Sequence, residues 1–182
     1  MTKTRTIVWQ ALSWPSLVVH RHTVNDGVQG HGLVVGKTDQ DIPFAVEYLV
    51  TLTSDWKIKK VYIKSLLDEK VIKLLHKDNQ WYDSTGQHLS EFDGVELVDI
   101  SISPFTNTLV IKQLCFDGKP HKVDMIYFDE NRFSLRRLQQ IYSKIDQRTY
   151  CYQDVEQPDF ISKITVDDAG LVIDFFKLFR RV

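Results

Sequence analysis

The 182-residue sequence predicts a mainly β, single-domain fold, and three observations carry that expectation. Valine and threonine number 19 and 12, while alanine, the best helix former, appears only three times. Apolar and polar residues alternate along several segments of strand length. Turn chemistry recurs at roughly even spacing, which suits a roll, barrel or sandwich.

Strands are expected at about 5–12, 17–24 and 32–36, separated by Trp14-Pro15-Ser16 and Asn25-Asp26-Gly27. After Asp39-Gln40-Asp41, the residues Phe44, Val46, Tyr48, Val50 and Leu52 share one strand face. Over 56–65 the alternation breaks phase: Trp56 and Ile58 lie on one face, Val61 and Ile63 on the other, with Lys59-Lys60 between. Either a β-bulge restores the phase or the strand is buried on both faces at different points. A strand at 71–76 ends at Asp78-Asn79. From Val95 to Ser103, Val98, Ile100 and Ile102 face one way, and Asp99, Ser101 and Ser103 the other. Ser103-Pro104-Phe105 through Leu114 carries a candidate N-cap followed by proline, the signature of a short helix. A strand at 121–128 follows Asp117-Gly118-Lys119-Pro120.

Phe133–Ile145 is ambiguous by pattern. Leu135, Leu138, Ile141, Tyr142 and Ile145 stand near helical spacing, which the pattern slightly prefers, while strand alternation also accommodates Leu138, Gln140 and Tyr142. A strand at 149–153 and the turn Gln157-Pro158 lead to a hairpin. Its arms are Phe160, Ser162, Ile164 and Val166, then Leu171, Ile173 and Phe175, joined by Asp167-Asp168-Ala169-Gly170. Phe176, Leu178 and Phe179 extend the apolar stretch, so this end should dock as a strand with Arg180 and Arg181 on opposite faces.

Composition excludes several function classes. With 23 Lys+Arg against 24 Asp+Glu, the net charge of −1 gives no electrostatic footprint for nucleic acid or an anionic membrane. The start, Met1 to Trp9, turns polar by Gln10, and no run nears about 18 apolar residues, so no signal peptide or membrane span is expected and the location reads as cytoplasmic. Cys115 and Cys151 are too few for a disulfide scaffold, and neither lies in a nucleophile signature. His20 and His22 share a strand face and could be half of a metal site, but no third ligand follows at motif spacing. Neither a metal nor a cofactor is expected. Glu47 and Asp99 could pair as carboxylates, yet sequence gives no separation. No glycine-rich phosphate loop or serine elbow appears. Lys57, Lys59, Lys60 and Lys64 read as a solvated strand face that discourages edge pairing. The aromatics Trp9, Trp14, Tyr48, Trp56, Tyr62, Trp81, Tyr150 and Tyr152 either fill the core or line an apolar cavity with a polar mouth.

Two blocks add a resemblance. Asp99-Ile-Ser-Ile-Ser-Pro-Phe-Thr-Asn-Thr-Leu-Val-Ile-Lys112 and the end from Gly170 to Val182, closing in Leu178-Phe-Arg-Arg181, resemble the bacterial family named Putative glycolipid-binding, formerly a domain of unknown function. Trp9, Leu12, Pro15, Leu17, Gly32 to Gly36, Tyr48, Asp55-Trp56, Trp81, Gly86, Leu89, Asp93-Gly94, Tyr150 and Tyr152 fit in order. The sequence departs from the family at Gln10, Val18 and Phe175-Phe176-Lys177. The resemblance implies an antiparallel spiral β-roll or half-barrel with one or two short helices, and it makes Phe133–Ile145 a strand. It also implies non-enzymatic binding of a glycolipid or related amphiphile in an apolar cavity. The candidate ligand contacts are Trp9, Tyr48, Trp56, Asp99, Thr106, Asn107, Thr108, Tyr150, Tyr152, Arg180 and Arg181. The alternatives are a small hydrolase acting on a lipid or sugar ester, and a ligand-free structural or interaction protein.

Overall fold

A computed structural model describes residues 2–38 and 40–182. Strands β1 (Lys3–Ala11), β2 (Ser16–Val24), β3 (Val28–Lys37), β4 (Pro43–Leu52), β5 (Ile58–Ser65), β6 (Val71–Lys77) and β7 (Gln80–Tyr82) form an antiparallel meander. A 3-10 turn at Ser90–Phe92 and β8 (Leu97–Ile100) lead to the helix α1 (Phe105–Gln113). A second meander follows: β9 (His121–Asp129), β10 (Ser134–Lys144), β11 (Thr149–Asp154), β12 (Ile161–Val166), β13 (Val172–Phe175) and β14 (Phe179–Arg181). All 14 strands belong to one sheet, in the order β7 down to β1, then β14 down to β8. The β1–β14 pairing joins the two meanders. Among the described residues only β8 and β9 pair in parallel.

The inward face follows from side-chain alternation. β2 turns Val18, His20 and His22 inward, and β3 turns Val28, Gly30, Gly32 and Val34. Helix α1 has no polar face to offer water: Phe105 through Ile111 are all buried. A helix of that kind needs to be enclosed, and the curved sheet encloses it. Two glycines make room for interior rings, one from α1 and one from β4. A Cβ on Gly30 would stand 2.2 Å from the Phe105 ring, and one on Gly32 would stand 2.2 Å from the Tyr48 ring. Trp9, Tyr48, Trp81, Phe105 and Phe128 are fully buried, so the interior of the roll is filled by the protein's own rings.

The phase break in β5 is a bulge. Thr51 pairs with Lys60 and Leu52 with Ile58, which leaves Lys59 without a partner and returns Ile58 and Val61 to the buried side. Trp56 precedes the strand instead of opening it, with φ of 69°. The 133–145 segment is strand β10, because β9 and β11 take its backbone groups on both sides. Helical spacing loses to that pairing.

The C-terminal end docks as expected but as two strands, turning at Phe176–Leu178 with Lys177 at φ 67°. A register shift beside Val166 also places Ile173 outward, while Val172 and Phe175 face in, so the single-face alternation of Leu171, Ile173 and Phe175 is corrected. The 95–103 strand stops at Ile100, where the chain turns into α1. The lysine face belongs to β5, an interior strand between β4 and β6, and therefore guards no edge. Asp39 of the 39–41 turn, and Met1, lie outside the described residues. Both cysteines are free thiols. No described helix is long and apolar enough to cross a membrane.

Candidate functional site

A cleft of about 450 Å³ opens in the second half of the sheet. Strand β8 places Val98 and Ile100 in the core and turns Asp99 the other way, into the cleft. The turn after β8 adds Ser101 and Ser103, and α1 adds Asn107. Across from them, β10 contributes Leu138 and Gln140, β9 contributes Tyr127, and β11 contributes Tyr152 and Asp154. Trp14, Phe160, Phe175 and Phe179 complete the wall.

Asp99 is the hub. Gln140 Nε2 donates to its Oδ2 at 2.7 Å, and Thr106 Oγ1 donates to its Oδ1 at 2.8 Å. Thr106 Oγ1 in turn accepts the Ile100 N–H at 3.2 Å, which ties the start of α1 to the end of β8. The Tyr142 hydroxyl lies 2.9 Å from Asn107 Oδ1 and 3.0 Å from Gln140 Oε1. Among the described residues no cation pairs with Asp99. Burial pushes its carboxyl above the usual range, the hydrogen bonds from Gln140 and Thr106 oppose this, and the Asp154 charge adds to it. Burial, then the Asp99 charge, holds the hydroxyls of Tyr127, Tyr142 and Tyr152 above the ordinary phenol value, so all three remain donors at neutral pH.

Further out, Ser101 Oγ donates to Glu130 at 2.6 Å. At the rim, Arg136 donates to Glu156 at 2.6 Å, and its guanidinium lies 5.0 Å from the centre of the Tyr127 ring. The buried Nε1–H of Trp14 has no acceptor among the described residues. Carboxylate, amide and hydroxyl groups beside aromatic faces can hydrogen-bond a polyol and cover its C–H surface. The cleft is therefore polar, whereas the cavity that the resemblance implies is apolar.

Of the residues singled out from sequence, Asp99, Asn107 and Tyr152 line this cleft, and Thr106 holds Asp99. The others lie elsewhere. Thr108 is fully buried, its hydroxyl without a partner among the described residues. Trp9 is core, donating Nε1–H to the Val172 carbonyl at 2.8 Å, and Trp81 does the same to Val95 at 2.7 Å. The Tyr48 hydroxyl sits 2.7 Å from Ser103 Oγ and 2.9 Å from His20 Nδ1. Trp56 stacks on His22 at 5.4 Å, and Tyr150 packs on Phe116 at 5.1 Å. Arg180 is exposed and pairs with Asp174. Arg181 reaches inward, to Asp167 and to the carbonyls of Leu171 and Val172. Burial of Asp167 pushes its carboxyl up, but Arg181, the Leu171 N–H and Arg5 together hold it below its ordinary value.

His20 and His22 stack in the core beside Phe105. Burial first, then the neighbouring His22 and His31, lowers His20 to about 3. Among the described residues no three His, Cys, Asp or Glu side chains are arranged to hold a metal ion, there or elsewhere. Glu47 does not meet Asp99: it pairs with His31 on the outer face at 2.8 Å.

Gln140, Tyr127 and Ser101 were not singled out from sequence. The one available signal was the strand alternation of Leu138, Gln140 and Tyr142, which places a glutamine among inward residues.

The sequence model of the family described as "Putative glycolipid-binding" matches residues 6–181. Among solved structures, a DUF1089 family protein from Pseudomonas aeruginosa is similar, with a TM-score of 0.82 and 29% identity over 92% of each chain. No curated protein matches the chain.

Proposed function

The chain belongs to the family described as "Putative glycolipid-binding", and from that membership we propose that its cleft holds the sugar headgroup of a glycolipid without turning it over. The polarity of the cleft carries this reading. Asp99, Asn107, Gln140 and Tyr152 converge beside aromatic walls, whereas the interior that could have held an acyl chain is packed with Trp9, Tyr48, Trp81 and Phe105. A volume of about 450 Å³ lies within the roughly 300–1,000 Å³ of small-molecule sites. Placing an acyl chain against Asp99 and Gln140 would strip their water and return no hydrogen bond, which is costly. A sugar ring returns hydrogen bonds through its hydroxyls and offers apolar C–H faces to the rings. The acyl part then stays outside.

Calorimetric titration with a panel of octyl glycosides below micelle formation tests this, with octanoate as the acyl control. Saturable one-to-one binding is expected for at least one glycoside, displaced by the matching methyl glycoside. Tyr152→Ala should weaken it by about tenfold or more, the loss of roughly 1.4 kcal/mol. Octanoate competing for the same site, or no saturable binding across the panel, contradicts the headgroup reading. Release of free sugar during the titration favours the hydrolase instead.

A further inference from the structure

Resting on the headgroup reading, we propose that the headgroup this cleft selects carries a protonated amine, as an amino sugar with a free ammonium does. Three features of the cleft lead there. The first is charge. Asp99, Asp154 and Glu156 line the cleft, and Arg136 is the one basic side chain lining it among the described residues. Arg136 is already engaged by Glu156 at 2.6 Å. Both oxygens of Asp99 are met by neutral donors, Gln140 and Thr106, so its charge is positioned but not balanced. Hydroxyls satisfy such a group's hydrogen-bonding capacity; only a cation balances its charge. A phosphate- or sulfate-bearing headgroup would meet this row of carboxylates with like charge.

The second is ring surface. The Arg136 guanidinium rests on the Tyr127 ring, which shows that the wall accepts a cation over a face. Tyr152 and Phe160, edge to face at 6.1 Å, line the same cleft as Asp154. The third separates an amino sugar from a simple amine: Ser101, Asn107 and Tyr152 line the same cleft with groups that hydrogen-bond the ring and hydroxyl oxygens a simple amine lacks.

Calorimetric titration at pH 6.5 with three octyl glycosides differing only at one position decides the matter: glucoside, 2-amino-2-deoxyglucoside and its N-acetyl derivative. The amine should bind at least about tenfold more tightly than either neutral analogue, and added salt should reduce that ratio. Asp99→Asn should bring the ratio toward one, and Asp154→Asn, further from the hydrogen-bond network, should lower it in part. Neutral glycosides binding as well as the amine overturn the ammonium and leave the headgroup reading standing. An amine preference that survives Asp99→Asn and Asp154→Asn also overturns it. Failure of all three glycosides to bind overturns the headgroup reading itself.

Discussion

The Tyr142 hydroxyl has one proton and two amide oxygens within reach, Asn107 Oδ1 and Gln140 Oε1. Turning the Gln140 amide over would let Nε2 donate to Tyr142, but Oε1 would then face Asp99, which needs a proton on that carboxyl. Asp99→Asn supplies the missing N–H permanently and removes a buried charge. The expected outcome is a higher melting temperature at neutral pH, at about 2–4 °C per kcal/mol for a chain of this length, together with weaker glycoside binding. The pH dependence agrees in sign. The folded Asp99 holds its proton more tightly than the unfolded chain does, so its stabilisation is complete below the ordinary value of 3.8 and lost as pH rises through the folded value. His20 acts in the opposite direction. Its folded value of about 3 lies below the ordinary 6.5, so its stabilisation is complete above 6.5 and is lost as pH falls toward 3. Urea unfolding at a series of pH values should show His20→Gln flattening that slope, by at most about 1.4 kcal/mol per pH unit for one proton. An unchanged slope would mean that His20 is not buried as a neutral ring. The two terminal arginines should also part. Arg181→Ala takes a largely buried cation away from Asp167 and from the carbonyls of Leu171 and Val172, which keep only Arg5, backbone N–H groups and the Trp9 Nε1–H, and should cost about 1.5–3 kcal/mol, whereas Arg180→Ala removes an exposed pair worth less than about 1 kcal/mol.

Strands were legible where burial of one face imprints a period of two on the chain with no rival spacing, as along β4 from Val46 to Leu52 and along β12. Legibility failed where long-range pairing sets the outcome. Strand β10 is fixed by two neighbours, and the outward turn of Ile173 follows from a register shift, neither of which leaves a local mark. The three-residue strands β7 and β14 are too short to show any period. For the site, Asp99 and Asn107 could be named because they stand in a distinctive block, while Gln140 could not, because a lone glutamine in a strand announces nothing. Nothing local showed what Gly30 and Gly32 are for, yet Gly30 admits the Phe105 ring of α1 and Gly32 the Tyr48 ring of β4. Gly32→Val should cost at least the roughly 1–3 kcal/mol of an overpacked core, since its Cβ would enter the Tyr48 ring. In the β13–β14 turn, Lys177 holds a left-handed conformation that favours glycine, so Lys177→Gly should raise the unfolding free energy by about 1 kcal/mol. Equilibrium denaturation checks both substitutions.

Over the whole molecule the interior of the roll is filled by aromatic and aliphatic side chains, and Asp99, Asn107, Gln140 and Tyr152 meet in one polar cleft beside β8 to β11. Strand β14 closes the arrangement by joining the two meanders, so deleting 175–182 should give insoluble or molten protein. The net charge of −1 is small, and the carboxylates gathered in the cleft are therefore a local feature with local consequences. The central claim is that ligand enters the polar cleft and not the interior of the roll. Amide-resolved NMR titration with an octyl glycoside and its methyl analogue tests this most directly. Both should shift the same signals, those of Asp99, Asn107, Gln140, Tyr152 and their neighbours, and leave Trp9, Tyr48 and Trp81 in place. Shifts centred on Trp9, Tyr48 and Trp81 that need the octyl chain would place the ligand inside the roll and contradict the account.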